Sequence, residues 1–349
     1  MGYVAIKGGE EAIENSMSFY EETIQSAKKL ETQDITDGLR YAVDKVMSEG
    51  SLYSKKLSSI AIKKSAGDLL NAAFFLRAHR SSCQRIGIAK TIDVNDMKLL
   101  RRISSAFKDI QGGQILGPSN DYEVKLLLNK SYRNEKWEKF SDNENIIKSS
   151  LEPLRVQGIV KTLQKDSEIS DITRVFPEPP YPRSAVMQTL TRGEAGSMLG
   201  FAYTSIRGYG DVHPTIGDLR LGTCELKFTH PFTQNEVKVG DLELTSCESA
   251  GTFEKQENGE VKLTTGFGFC FGFNETKAIS MSILDLSLYS AKFSVGEKEF
   301  ASDFEMIVHH IDGVDSMGFT NHFKLPHYVT FQADLQVFSN ASDFAKDQK

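Results

Sequence analysis

Residues 262–273 read KLTTGFGFCFGF. Phe267, Phe269, Phe271 and Phe273 alternate with Gly266, Gly268, Cys270 and Gly272. Only a strand, whose successive side chains point to opposite faces, sorts such a run into two uniform surfaces. One face is an aromatic wall and the other is nearly bare backbone. We expect the aromatic face to be core. The bare face invites close approach by a second element, a partner or a ligand.

Around this strand the chain divides by pattern. DGLRYAVDKVMSEG (37–50), the run from 58 to 82 and VNDMKLLRRISSAFKDI (94–110) carry apolar residues at helical spacing. The Gly/Pro-rich QGGQILGPSND ends the last of them. Beyond Gly208 the segments LGTCELKFTH and EVKVGDLELTS favour strands. Asn274 then stands where a helix cap belongs, with Glu275 in the first turn. FPEPPYPR (176–183) is a stiff connector. We therefore expect an α+β protein: a mostly helical domain over 1–175, then an α+β domain over 176–349 with antiparallel strands. Residues 184–208 read as one helix with costly glycines at 193, 196 and 200, which fit if something packs very close.

Composition removes several function classes. The 349 residues carry a formal charge of -6 and no long basic run, so nucleic acid has no electrostatic footprint. The N-terminus lacks a basic region followed by an apolar stretch, and LLNAAFFL (69–76) is too short to span a bilayer. The chain reads as soluble and cytoplasmic. Cys83, Cys224, Cys247 and Cys270 form no C-x-x-C pair, which excludes a zinc ribbon and a clustered-cysteine iron–sulfur motif. They are expected to be buried thiols.

Three stretches bear chemistry. Residues 192–222 hold Arg192, Glu194, Arg207, His213 and Arg220 among seven glycines, including Gly208 and Gly210. Guanidinium forks match phosphate oxygens, and glycine lets backbone N–H groups approach them. Glu194 and His213 suit an acid, a base or a metal ligand. The same string also suits a solvated helix face followed by a Gly/Pro turn. Near the start, Lys7-Gly8-Gly9 precedes a helix and resembles a phosphate cradle, although Glu10 and Glu11 would repel phosphate. Lastly, His322 and His327 flank Lys324-Leu325-Pro326. Neither a helix nor a strand aims positions five apart at one point. A bend at Leu325-Pro326 would bring the rings together to share a metal ion or a substrate, with His309-His310 nearby in sequence.

Taken in order, YVAIKGGEEAI, AVDKVMSEGSLY, RRISSAFKDIQGGQILGPSNDY, RGEAGSMLGFAYTSIRGYGDVHP, NETKAISMSILD and HFKLPHYVTFQADL resemble the PhnI family of carbon–phosphorus lyase core-complex subunits. The likeness runs along nearly the whole chain. It implies a role in using phosphonates as a phosphorus source. The family's assembly attaches a phosphonate to ribose C1′ of MgATP, the purine leaves, and ribose 1-phosphonate 5-triphosphate results. GTP is a further donor. A different subunit, with an iron–sulfur cluster and S-adenosylmethionine, later breaks the C–P bond. On this likeness Arg192, Arg207 and Arg220, with Lys7, Gly208 and Gly210, become anion-binding candidates. Glu194 would stabilise charge at C1′, and His213 would protonate the leaving base. His322 and His327 match an H-x-K-L-P-H element tied to a metal, zinc or iron, at the face shared with the radical subunit. A non-catalytic scaffold and a water-using purine nucleosidase are the alternatives.

Overall fold

The computed structural model describes residues 9–24, 30–122, 147–162, 166, 168–206, 213–290, 300–325 and 327–347. Lys7, Arg207, Gly208, Gly210 and Pro326 lie outside them, as does most of the polar stretch 129–150. The chain parts into two compact units, residues 32–313 and residues 1–31 with 314–349. The proline-rich segment 176–183 falls inside the first of these rather than between units.

In the larger unit, helices α2 (Thr32–Gly38), α3 (Arg40–Glu49), α4 (Lys55–Lys64) and α5 (Leu69–Ser82) form a small bundle. Its core is Ile35, Val43, Val46, Ala61, Ile62, Ala72 and Leu76. Ser54 caps α4 by accepting from the Leu57 amide, and Asp68 caps α5 through the Leu70 and Asn71 amides.

A four-stranded antiparallel sheet follows, in the order β1 (Lys98–Ile103), β2 (Thr215–Thr229), β3 (Glu236–Lys255) and β4 (Val261–Phe271). Strand β1 corrects the helix expected at 94–110. It pairs with β2, Arg102 opposite Arg220, and has a register shift between Leu99 and Arg101. The reason is tertiary. Arg101 and Arg102 are buried, and each needs carboxylates and carbonyls that other segments supply. Short helices α6 (Glu152–Val156), α7 (Arg183–Arg192) and α8 (Ala195–Ile206) lead into and between these strands. The single helix expected at 184–208 is therefore two, broken at Gly193-Glu194.

Helix α9 (Glu275–Tyr289) is the centre of the unit. Asn274 caps it as expected, accepting from the Lys277 amide at 3.3 Å. One side of α9 lies on the glycine face of β4. A Cβ on Gly266 would meet the Ser282 carbonyl oxygen at 1.9 Å, and one on Gly268 the Ala278 carbonyl oxygen at the same distance. The opposite side, with Met281, Leu284 and Leu288, packs on Val186 and Leu190 of α7, Met198 of α8 and Ile307 of α10 (Phe304–His310). Each such fully buried side chain contributes about 1.5–3 kcal/mol.

The expectation for β4 is thus half corrected. The bare face does admit close approach, but it is also the most deeply buried face, with Cys247, Cys270 and Ala278 in its core. The phenylalanines are half-buried. Phe271 meets Tyr53 edge-on, with ring centroids 5.4 Å apart, and the Arg40 guanidinium lies 3.9 Å over Phe273. Cys224, Cys247 and Cys270 are buried and Cys83 is exposed. Burial pushes the Cys247 and Cys270 thiols up to about 12, which makes them inert packing groups.

The smaller unit comprises α1 (Gly9–Ile24), most of α11 (Gly313–His322) and α12 (Tyr328–Asp347). Helix α1 buries no residue, and in α12 no described residue is buried. No helix among the described residues is long and apolar enough to cross a membrane.

Candidate functional site

The break between α7 and α8 is held by charge. Helix C-termini attract cations and N-termini attract anions. Here Lys277 donates to the Thr191 carbonyl at 2.6 Å, and Arg77 Nη2 to the Arg192 carbonyl at 3.0 Å. On the α8 side, Glu194 Oε2 accepts from the Ser197 amide at 2.7 Å, and Glu49 Oε1 accepts from the Ala195 amide at 2.9 Å. The two carboxylates are joined by Lys45, which donates to Glu194 Oε1 and lies 3.3 Å from Glu49 Oε1. Arg77 also reaches the Glu49 carbonyl at 2.8 Å and Asp312 at 2.7 Å.

Glycine makes room for this. A Cβ on Gly196 would stand 2.8 Å from Glu194 Oε2, so the carboxylate folds back only over a bare Cα. The close packing expected at Gly196 is therefore its own neighbour's carboxylate, whereas Gly200 has nothing within 4 Å of a built Cβ.

Burial opposes ionisation of Glu194, but the Lys45 ammonium and the Gly196 and Ser197 amides outweigh it and hold the carboxyl at about 2. Glu194 is thus an anion near neutral pH, suited to facing positive charge and unsuited to donating a proton. Glu49 behaves oppositely. Its burial raises the pKa against the pull of Lys277 and Lys45, and among the described residues its buried Oε2 has no hydrogen-bond partner. Lys277 is fully buried, which lowers its pKa. Lys45, Glu49, Arg77 and Lys277 escaped the sequence reading. Only the i,i+4 spacing of Lys45 and Glu49 carried a hint of them.

Of the described residues in the 192–222 stretch, Arg220 turns to Asp218 and not to Glu194. His213 is exposed, just before β2. Arg220 is 2% exposed and bonds Asp218 Oδ2 through Nε at 3.1 Å and Nη2 at 2.9 Å, with the Ile147 carbonyl at 2.8 Å. Arg102, from β1, holds the other Asp218 oxygen at 3.1 Å. Arg220 stands in a buried ion pair, because the sheet aims it inward at Asp218.

The histidine segment does bend. His322 closes α11, the Lys324 and Leu325 amides donate to the Asn321 and His322 carbonyls, and His327 leads into α12. The rings meet with Nε2 to Nε2 at 3.1 Å and interplanar angle 89°. Two nitrogens on one tetrahedral ion at about 2.0–2.1 Å would stand roughly 3.3 Å apart. His327 Nδ1 donates to the Leu325 carbonyl at 2.6 Å, which leaves its Nε2 lone pair facing His322. This pair of imidazoles fits zinc or iron. No group of three potential ligands occurs among the described residues. His310, in α10, donates from Nδ1 to the Met306 carbonyl at 2.9 Å.

An α+β scaffold with a charge-locked helix break and a paired-imidazole turn defines a class that comparison with known proteins makes specific. Residues 2–344 match the family described as bacterial phosphonate metabolism protein (PhnI). The chain belongs to the PhnI family. It is 36% identical to the alpha-D-ribose 1-methylphosphonate 5-triphosphate synthase subunit PhnI of Escherichia coli (strain K12), over 96% of this chain and 97% of the relative. The namesake subunit of Rhizobium meliloti (strain 1021) is 35% identical over 96% and 93%. A Stutzerimonas stutzeri protein, HtxH, provisionally named a C-P lyase subunit, is 41% identical over 100% and 98%.

Proposed function

We propose that this chain is a subunit of a ribose 1-phosphonate 5-triphosphate synthase working within a carbon–phosphorus lyase system. The observation that carries the reading is the near end-to-end relation to two subunits of that name. In the reaction an alkylphosphonate oxygen forms a bond to ribose C1′ of MgATP or MgGTP. The C1′–N9 bond breaks, and its electron pair and a proton leave with the purine. Positive charge builds at the anomeric carbon, as in glycoside hydrolysis.

Glu194, anionic near neutral pH, suits facing that charge, and Lys45 holds its orientation. His213 is exposed and suits protonating the purine. Arg192 and Arg207, with Lys7, Gly208 and Gly210, are the candidates for contacting the anionic reactants. Holding two anions together is itself a large part of such catalysis. His322 and His327 would hold a zinc or iron ion whose other ligands come from a partner, the radical S-adenosylmethionine subunit, and that ion would supply Lewis acidity there.

A scaffold reading has its own support, since α1 and α12 carry exposed Met17, Phe19, Phe331 and Phe338 and bury none of their described residues. One experiment separates the readings. The chain is incubated with MgATP alone, then with partner subunits and methylphosphonate, following free adenine by chromatography and product by phosphorus NMR. Partner- and phosphonate-dependent product that is lost with Glu194→Ala supports a catalytic subunit. Product that survives Glu194→Ala and Arg207→Ala in a folded complex supports the scaffold. Adenine release without phosphonate incorporation supports a nucleosidase.

A further inference from the structure

A cleft of about 590 Å³ opens between α6, the segment after it, the start of α7 and β4. That volume lies in the range of small-molecule sites, roughly 300–1,000 Å³. Four cationic side chains line it, Arg155, Lys161, Arg183 and Lys262, against the carboxylates Glu248 and Glu260. Among the lining side chains four are cationic and two anionic, and buried carboxylates behind the wall offset the difference.

The balancing groups sit behind the wall. Asp285 takes both Arg183 Nη atoms at 2.6 and 2.8 Å and is 1% exposed. Glu254 lies 3.3 Å from Lys161 and is 6% exposed. These carboxylates anchor the cations from inside, so the cleft is pre-organised and little side-chain entropy remains to be lost on binding. Donors remain beyond those contacts. A lysine has three N–H donors and an arginine five. Lys161 spends two, on Glu254 and the Tyr289 carbonyl. Lys262 spends two, on the Gly158 carbonyl at 2.6 Å and on Glu260 at 2.9 Å. Arg155 faces Glu248 at 2.6 Å and Glu152 at 3.5 Å. Glu260 is 57% exposed, so an incoming oxyanion displaces it from Lys262 at little cost.

We propose that this cleft binds a phosphate ester of nucleotide or sugar-phosphate size, with Arg155, Lys161 and Lys262 donating to its oxygens. It would give a polyphosphate the cationic surface that Arg220 does not. The choice of a nucleotide as probe rests on the proposed function; the cleft itself does not.

The test is calorimetric titration of the purified chain at low salt with MgATP, ribose 5-phosphate and orthophosphate, together with acetylation of lysines read by mass spectrometry. The phosphate esters are expected to bind and to shield Lys161 and Lys262 from acetylation. Lys262→Ala and Arg155→Ala should each weaken binding about tenfold. Lys262→Arg should restore much of it, and Lys346→Ala, a change on exposed α12, should have no effect. Binding that persists in Arg155→Ala and Lys262→Ala, or that leaves both lysines open to acetylation, overturns the site. So does an absence of binding by the folded wild-type chain. Ester binding here without synthase turnover in the assembly would overturn the proposed function and leave the cleft standing; turnover without binding here would do the reverse.

Discussion

Gly268 of β4 and Ala278 of α9 touch through backbone: a Cβ on the glycine would stand 1.9 Å from the alanine carbonyl oxygen. A helix that close to a sheet cannot shift for one methyl group without disturbing its opposite side, where Met281 and Leu284 are fully buried. Gly268→Ala should therefore destabilise the protein by about 3 kcal/mol, at the upper end of overpacking costs. Urea denaturation would measure it. A loss below about 1 kcal/mol would mean that the helix is free to move away.

Lys277 is buried beside Glu49, whose Oε2 has no hydrogen-bond partner among the described residues. Removing the lysine leaves Glu49 with Lys45 as its one nearby ammonium and takes a buried donor from the Thr191 carbonyl and the Ser48 hydroxyl. Lys277→Met should cost about 3–5 kcal/mol. Adding Glu49→Gln should recover part of it. If a double-mutant cycle showed strict additivity, the two groups would not be coupled.

The acid limb of stability should depend on Glu194. Its folded pKa, about 2, lies below its ordinary value of 4.5. The contribution is therefore complete above the ordinary value and is lost as pH falls toward about 2. Glu194→Gln should flatten the stability profile over that window and leave its shape at pH 6–8 unchanged. An unaltered acid limb, followed by circular dichroism, would falsify the ion pair with Lys45.

Arg220 should behave as part of the frame. Arg220→Gln strips Asp218 of one of two guanidinium partners in a buried site, at a cost of about 3 kcal/mol or more. Affinity for nucleotide in the folded fraction should be unchanged. A selective loss of affinity with intact stability would return Arg220 to the substrate.

His322→Ala with His327→Ala should reduce zinc or iron in the assembled complex to background, measured by elemental analysis. The single change His327→Ala should do most of this, since the pair presents both nitrogens to one point. Unchanged metal content in the double variant would leave the imidazoles with only each other.

Some of this was legible in the chain itself. The strand through 266–271, the cap at Asn274 and the helical spacing at 37–50 and 58–82 are local, set by backbone preference and side-chain direction, and they stand in the structure, the last as the two helices α4 and α5. The odd spacing of His322 and His327 also pointed to a turn. What local pattern could not say was which side of a strand is inside. The phenylalanines were read as core because burial of apolar area is favourable. The glycine face won because α9 could approach it to backbone contact and bury its own large side chains on the far side. Strand β1 was lost to a helical pattern because Arg101 and Arg102 find their partners far along the chain, Glu275 at the start of α9 and Asp218 on β2. Arg220 and Glu194 looked like two members of one substrate-facing stretch, the first for anions and the second for positive charge. Whether a charge faces a ligand or a buried partner depends on what the fold places opposite it. Asp218 sits two residues from Arg220 in sequence, but Lys45 comes to Glu194 from a distant helix, and only tertiary structure brings them together.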